Sequence, residues 1–116
     1  MYILIYFAER PYTQEITPHA NTDWGSWSDR DFCPENSFVI GFRLKVEDPG
    51  HADDTALNGI ELECQEAKYP YNSAGAIHAD MGPWGSWNSH KYCDEGNFVT
   101  GAKFRSEEDV FIDDTA

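Results

Sequence analysis

The sequence predicts an all-β protein built from a repeated sheet unit, and three observations carry that prediction. The phrase Trp-Gly-Ser-Trp stands at 24–27 and again at 84–87, and these two words hold all four tryptophans of the chain. Residues 38–47, FVIGFRLKVE, alternate strictly: Phe38, Ile40, Phe42, Leu44 and Val46 point one way, and Val39, Gly41, Arg43, Lys45 and Glu47 the other. A period of two belongs to a strand with one covered face, whereas helical winding would scatter those apolar residues. Turn formers punctuate the chain, and helix signals are few.

The repeat extends well beyond its tryptophans. At an offset of sixty, residues 24–56 and 84–116 are identical at 14 of 33 positions without a gap. Cys33 falls on Cys93, Phe38 on Phe98, Gly41 on Gly101, Glu47 on Glu107, and the DDTA at 53–56 on the DDTA at 113–116. Such self-similarity marks a duplicated fold unit. The chain divides into an N-terminal segment (1–20), a first repeat (21–68) and a second (69–116), together one domain's worth of residues.

Each element has its reason. The run at 2–8 is apolar and rich in β-formers. It lacks the basic flank and small-residue cleavage site of a leader, so it reads as a strand or as a leader remnant. The strand at 38–47 is followed by DPGHADD, a turn-forming stretch, and then by IELEC (60–64), which alternates again. The second copy offers FVTGAKFRSE (98–107), with smaller inward residues at Thr100, Ala102 and Ser106. It stops in mid-phrase at Ala116, so the chain reads as part of a longer protein. The run at 2–8 is then a candidate partner for the strand at 98–107.

Cys33 and Cys64 are equidistant from the Asp48–Pro49 junction, inside the turn. Residues symmetric about a hairpin turn become cross-strand neighbours. A disulfide between them is expected, closing a loop worth about 3–4 kcal/mol, with Cys93 left free. Two reduced, buried cysteines are the alternative. The bridge would imply an oxidising, extracellular compartment.

Composition narrows the function. The formal net charge is −13, from 21 acidic and 8 basic residues. That surplus argues against nucleic acid and against anionic membranes, and it favours basic protein partners or cations. CxxC spacing, an EF-hand, a nucleophile elbow and a phosphate loop are all absent, so neither metal nor cofactor is expected.

Two residue groups invite chemistry. Trp24, Trp27, Trp84 and Trp87 either form the packing centre of each sheet or present faces on which sugar rings stack. Asp53, Asp54, Asp113 and Asp114 either cap their own turns or offer oxygens to a hard cation or a catalytic carboxylate. His19, His51, His78 and His90 are scattered and read as solvated surface residues. No catalytic residue is identified.

The string WGSW…CPENSFVIGFRLKVEDPGHADDTALNGIELEC resembles the repeat of the vitelline membrane outer layer protein I family. The first repeat carries the resemblance nearly throughout, and the second more loosely. The resemblance implies a secreted protein with a β-prism fold, three Greek-key sheets about a pseudo-threefold axis. About two of the three sheets would be present, an incomplete prism. It also implies a place in an extracellular coat or fluid, and a lysozyme-like transglycosylation of N-acetylglucosamine oligosaccharides is attributed to the family. The expected function is that of an acidic structural protein. The alternatives are glycan binding or transfer, and the docking of a basic extracellular protein.

Overall fold

The computed structural model describes residues 26–50 and 55–105. Among them every regular element is a strand: β1 (Ser37–Val46), β2 (Leu57–Glu66), β3 (Ser73–His78), β4 (Ser86–Trp87) and β5 (Lys91–Tyr92). No helix there is long and apolar enough to cross a membrane. All pairings are antiparallel, in the order β3-β2-β1-β4, with β5 also against β1. A return of the fourth strand to lie beside the first is Greek-key order. The described residues are all-β, as expected, and form one antiparallel sheet consistent with an incomplete prism, in place of a separate sheet for each repeat. The sheet draws on both copies, since β1 and β2 come from the first and β3, β4 and β5 from the second.

The long alternating run makes β1 the central strand. β2 bonds one of its edges, and residues 86–99 bond the other. On that second edge Asn88 donates its N–H to Leu44 O (2.9 Å), Cys93 to Ile40 O (2.8 Å) and Val99 to Val39 O (2.8 Å). The Asn88 side chain completes the arrangement, its Oδ1 accepting from Leu44 N–H at 2.9 Å.

Cys33 and Cys64 form the expected disulfide, with Cα atoms 5.7 Å apart, and Cys93 is free. The symmetry that suggested it does not describe the register. Cys64 lies opposite Val39, and the ladder skips Ile40 and Asn58 as bulge residues. Cys33 precedes the strand and is folded back by a turn. There Ser37 donates its N–H to Pro34 O at 3.0 Å, and its hydroxyl reaches the same oxygen. Asn36 takes the left-handed conformation this turn needs (φ 60°), which asparagine tolerates better than most residues.

The buried centre is small. Among the described residues Cys33, Cys64, Ser37 and Asn58 are buried, and the two bridged cysteines are the buried hydrophobic residues there. On the apolar face of β1, Ile40, Leu44 and Val46 are half-buried, while Phe38 and Phe42 remain exposed.

The second copy departs from expectation. FVTGAKFRSE was expected to form a strand at 98–107, yet residues 98–105 form none. Their ties to the sheet include the Val99 hydrogen bond and an edge-on contact of Phe98 with Phe38, centroids 5.6 Å apart. The physical reason is partnership. Thr100 and Ala102 stand where β1 has Ile40 and Phe42, so this run has less apolar area to bury. Residues 1–25, and with them the candidate strand at 2–8, lie outside the described residues, as do 106–116.

Candidate functional site

Alternation in β1 and β2 gathers polar residues onto one face. Gly41 lies opposite Glu63, Arg43 opposite Glu61, and Lys45 opposite Gly59. Directly opposed residues on antiparallel strands share a face. The second copy then covers it, because Trp87 pairs with Lys45 and Tyr92 with Gly41. His90 lies in the short link between β4 and β5.

Gly41 makes this close approach possible. A Cβ there would lie 2.5 Å from Tyr92 Cδ1 and would strike the Lys91 carbonyl as well. Without it the Tyr92 ring settles over the strand and becomes a platform. The His90 imidazole stacks on that ring, centroids 5.6 Å apart and planes 11° from parallel. The stack aims His90 Nε2 at the two carboxylates, 3.1 Å from Glu63 Oε1 and 3.7 Å from Glu61 Oε1. That nitrogen is buried, and neither carboxylate meets it with hydrogen-bond geometry. Its nearness to Glu63 is therefore a close approach without a formed hydrogen bond.

Arg43 grips Glu61 from the other side. Its Nε donates to Oε1 at 2.8 Å and its Nη2 to Oε2 at 3.3 Å, a bidentate fork. The guanidinium carbon lies 4.5 Å from the Trp87 ring centroid, a cation–π contact. The Arg43 hydrogen bonds are the main reason that the Glu61 carboxyl is held below its ordinary range. Burial opposes this, while the Arg43 charge and the nearby His90 reinforce it. Lys45 turns to the rim, donating from Nζ to Gly82 O at 2.9 Å. The centre is thus a nitrogen and two carboxylates under a fixed guanidinium, with side chains 15–30% exposed.

The residues singled out in the sequence fare unevenly. Trp87 joins the cluster through Arg43. Trp27 and Trp84 do not form a packing centre, for they are 83% and 59% exposed. Trp24, Asp53, Asp54, Asp113 and Asp114 lie outside the described residues. Next to the segment that holds Asp53 and Asp54, Glu47 Oε2 accepts from the Thr55 N–H (3.1 Å) and hydroxyl (2.5 Å). His90 is no solvated surface residue, contrary to expectation. Glu61 and Glu63 were legible as one face of a strand, and Arg43 as part of the facing one. What brings His90 and Tyr92 to them is the second copy laying its opening segment along the first copy's strand.

Fold and site together define a disulfide-bonded, duplicated Greek-key β protein with a polar cluster where the copies meet. The chain belongs to the vitelline membrane outer layer protein I family, whose model matches residues 14–116. It is 34% identical over 105 residues to the human vitelline membrane outer layer protein 1 homolog, covering 89% of this chain and 52% of that protein. Its identity to the mouse homolog is 37% over 93 residues, 78% of this chain and 46% of that protein. The chain therefore spans about half the length of these relatives. No solved structure matches it.

Proposed function

We propose that this is a secreted, acidic structural protein of an extracellular coat or fluid, like the vitelline membrane outer layer protein after which its family is named. The family match carries the reading. The Cys33–Cys64 bridge supports it, since such bonds persist in oxidising compartments. The charge of −13 suits a protein that must stay soluble or bind a basic partner. The test is to fractionate the source tissue and probe for the chain under non-reducing conditions with alkylation. The reading expects an extracellular pool in which one of three cysteines is labelled. An intracellular pool with all three labelled would overturn it.

A second reading, glycan binding, rests on the exposure of Trp27 and Trp84, whose indole faces are open to solvent. Titration with N-acetylglucosamine oligomers should then quench tryptophan fluorescence, and Trp27→Ala with Trp84→Ala should abolish the change. Unaltered fluorescence in the parent protein would discard this reading.

A further inference from the structure

We propose that Glu61, Glu63 and His90 form a binding site for a zinc-type divalent metal ion. The three side chains can each aim one ligand atom at a common point, those atoms lying within 4.8 Å of one another. Zinc bonds to nitrogen and oxygen measure about 2.0–2.2 Å, which places tetrahedral ligands about 3.3–3.6 Å apart. The distances from His90 Nε2, 3.1 Å to Glu63 and 3.7 Å to Glu61, bracket that spacing. The two carboxylate atoms, within 4.8 Å of one another, would close the third edge by turning toward the common point. The partial exposure of the side chains leaves the fourth corner to water.

The unsatisfied nitrogen supplies an independent reason. His90 Nε2 is buried and without a hydrogen bond, held by its stack on Tyr92 against two acceptors. In the tautomer with the proton on Nδ1, all three groups present lone pairs to one another. That arrangement requires a positive occupant, which is a proton or a metal ion. The donor set, one imidazole and two carboxylates, is among those zinc accepts. Arg43 supplies what a ligating carboxylate ordinarily has, an outer hydrogen-bond partner that fixes its plane. Two carboxylates, one guanidinium and a neutral imidazole sum to one negative charge, which a dication reverses without excess. The sequence concealed the site because His90 lies some thirty residues from both glutamates and reaches them through the β1–β5 pairing.

The test uses the full chain in a Cys93→Ser background, since the free thiol would itself take zinc. Zinc chloride is titrated by calorimetry and by NMR of the four histidine imidazoles. The expected result is one zinc per chain, with the His90 resonances moving before those of the other three. His90→Ala and the near-isosteric Glu63→Gln should each weaken binding at least about tenfold, a loss seen even when outer partners of ligands are removed. Circular dichroism spectra and urea midpoints close to those of the Cys93→Ser parent would show that both variants fold. Unchanged affinity in the variants would overturn the site. So would a His90 that titrates with pH but ignores zinc, because the occupant would then be a proton.

Discussion

The strand Ser37–Val46 and its repeat counterpart at 97–105 carry the same phrase, Phe-Val-x-Gly, and the same alternation, yet only the first is a strand. β1 has hydrogen-bonding neighbours along both edges, and the disulfide ties the segment that leads into it to β2. The counterpart touches the sheet at Phe98 and Val99 and then runs exposed, with Phe104 86% open to solvent. Alternation gives a segment two usable faces. Whether it becomes a strand is decided by what those faces and edges meet, because each unpaired backbone group must find a partner elsewhere. The two copies also divide the labour: the first supplies the two long strands, and the second adds β3 beside β2 and lays β4 and β5 along the other edge of β1.

If the bridge is what pins the first copy, its removal should have the largest effect. Replacing both Cys33 and Cys64 by alanine should cost about 3–4 kcal/mol, the chain-entropy value for a link across 31 residues. Urea unfolding followed by tryptophan fluorescence measures it. A loss under about 1 kcal/mol would mean that the strand pairings alone hold β1 and β2 together.

The repeated glycines make the cleanest comparison. Gly41 faces the Lys91 carbonyl and the Tyr92 ring, whereas Gly101 has nothing within 4 Å of where a Cβ would stand. Gly41→Ala should destabilise the protein by about 1–3 kcal/mol through forced overpacking. Gly101→Ala should stay within about 0.5 kcal/mol, as surface changes do. Equal costs at the two positions would mean that the copies are packed alike and that β5 does not lie on β1.

Much of this was legible in the chain. Phe38, Ile40, Phe42 and Leu44 announce β1 by period, and Ile60, Leu62 and Cys64 announce β2. The cysteine pairing followed from their placement, although the true register differs because Ile40 and Asn58 bulge. What a one-dimensional pattern could not hold was the partner of each edge. The segment from Ser86 to Tyr92 shows no alternation of its own and forms two short strands only because β1 offers an open edge. The site depends on that docking. Glu61 and Glu63 declare a common face, but nothing near them in sequence points to His90.

The tryptophans sharpen the comparison at smaller scale. Trp27 and Trp87 occupy the same repeat position, one 83% exposed and the other half-buried beneath Arg43. Trp87→Ala should cost about 1–2 kcal/mol, from a lost cation–π contact and part of the ring's burial. Trp27→Ala should stay within about 0.5 kcal/mol. Thermal unfolding of the two variants decides it, and a larger loss at Trp27 would reverse the assignment of covered and uncovered copies.

The smallest effect lies in the cation above Trp87. Arg43 corresponds in the repeat to Lys103, and only Arg43 meets a carboxylate, gripping Glu61 with two hydrogen bonds. Glu61 is therefore easier to ionise in the folded chain than its ordinary value of 4.5 would allow. A carboxyl whose folded pKa is depressed adds stability that is present above its unfolded pKa. The contribution fades as pH falls below 4.5 and through the lowered folded value. Its size is modest, under about 1 kcal/mol, because partly exposed ion pairs trade solvation for contact. With 21 acidic residues in the chain, the parent's acid lability has many sources, so only a difference between variants isolates this one. Urea midpoints measured at neutral pH and again near pH 3 should converge for the parent and Glu61→Gln as the medium becomes acid. Arg43→Gln should flatten the same increment, while Lys103→Gln should leave it intact. Equal flattening by the two cation variants would show that Glu61 senses the general field of the protein rather than the Arg43 fork.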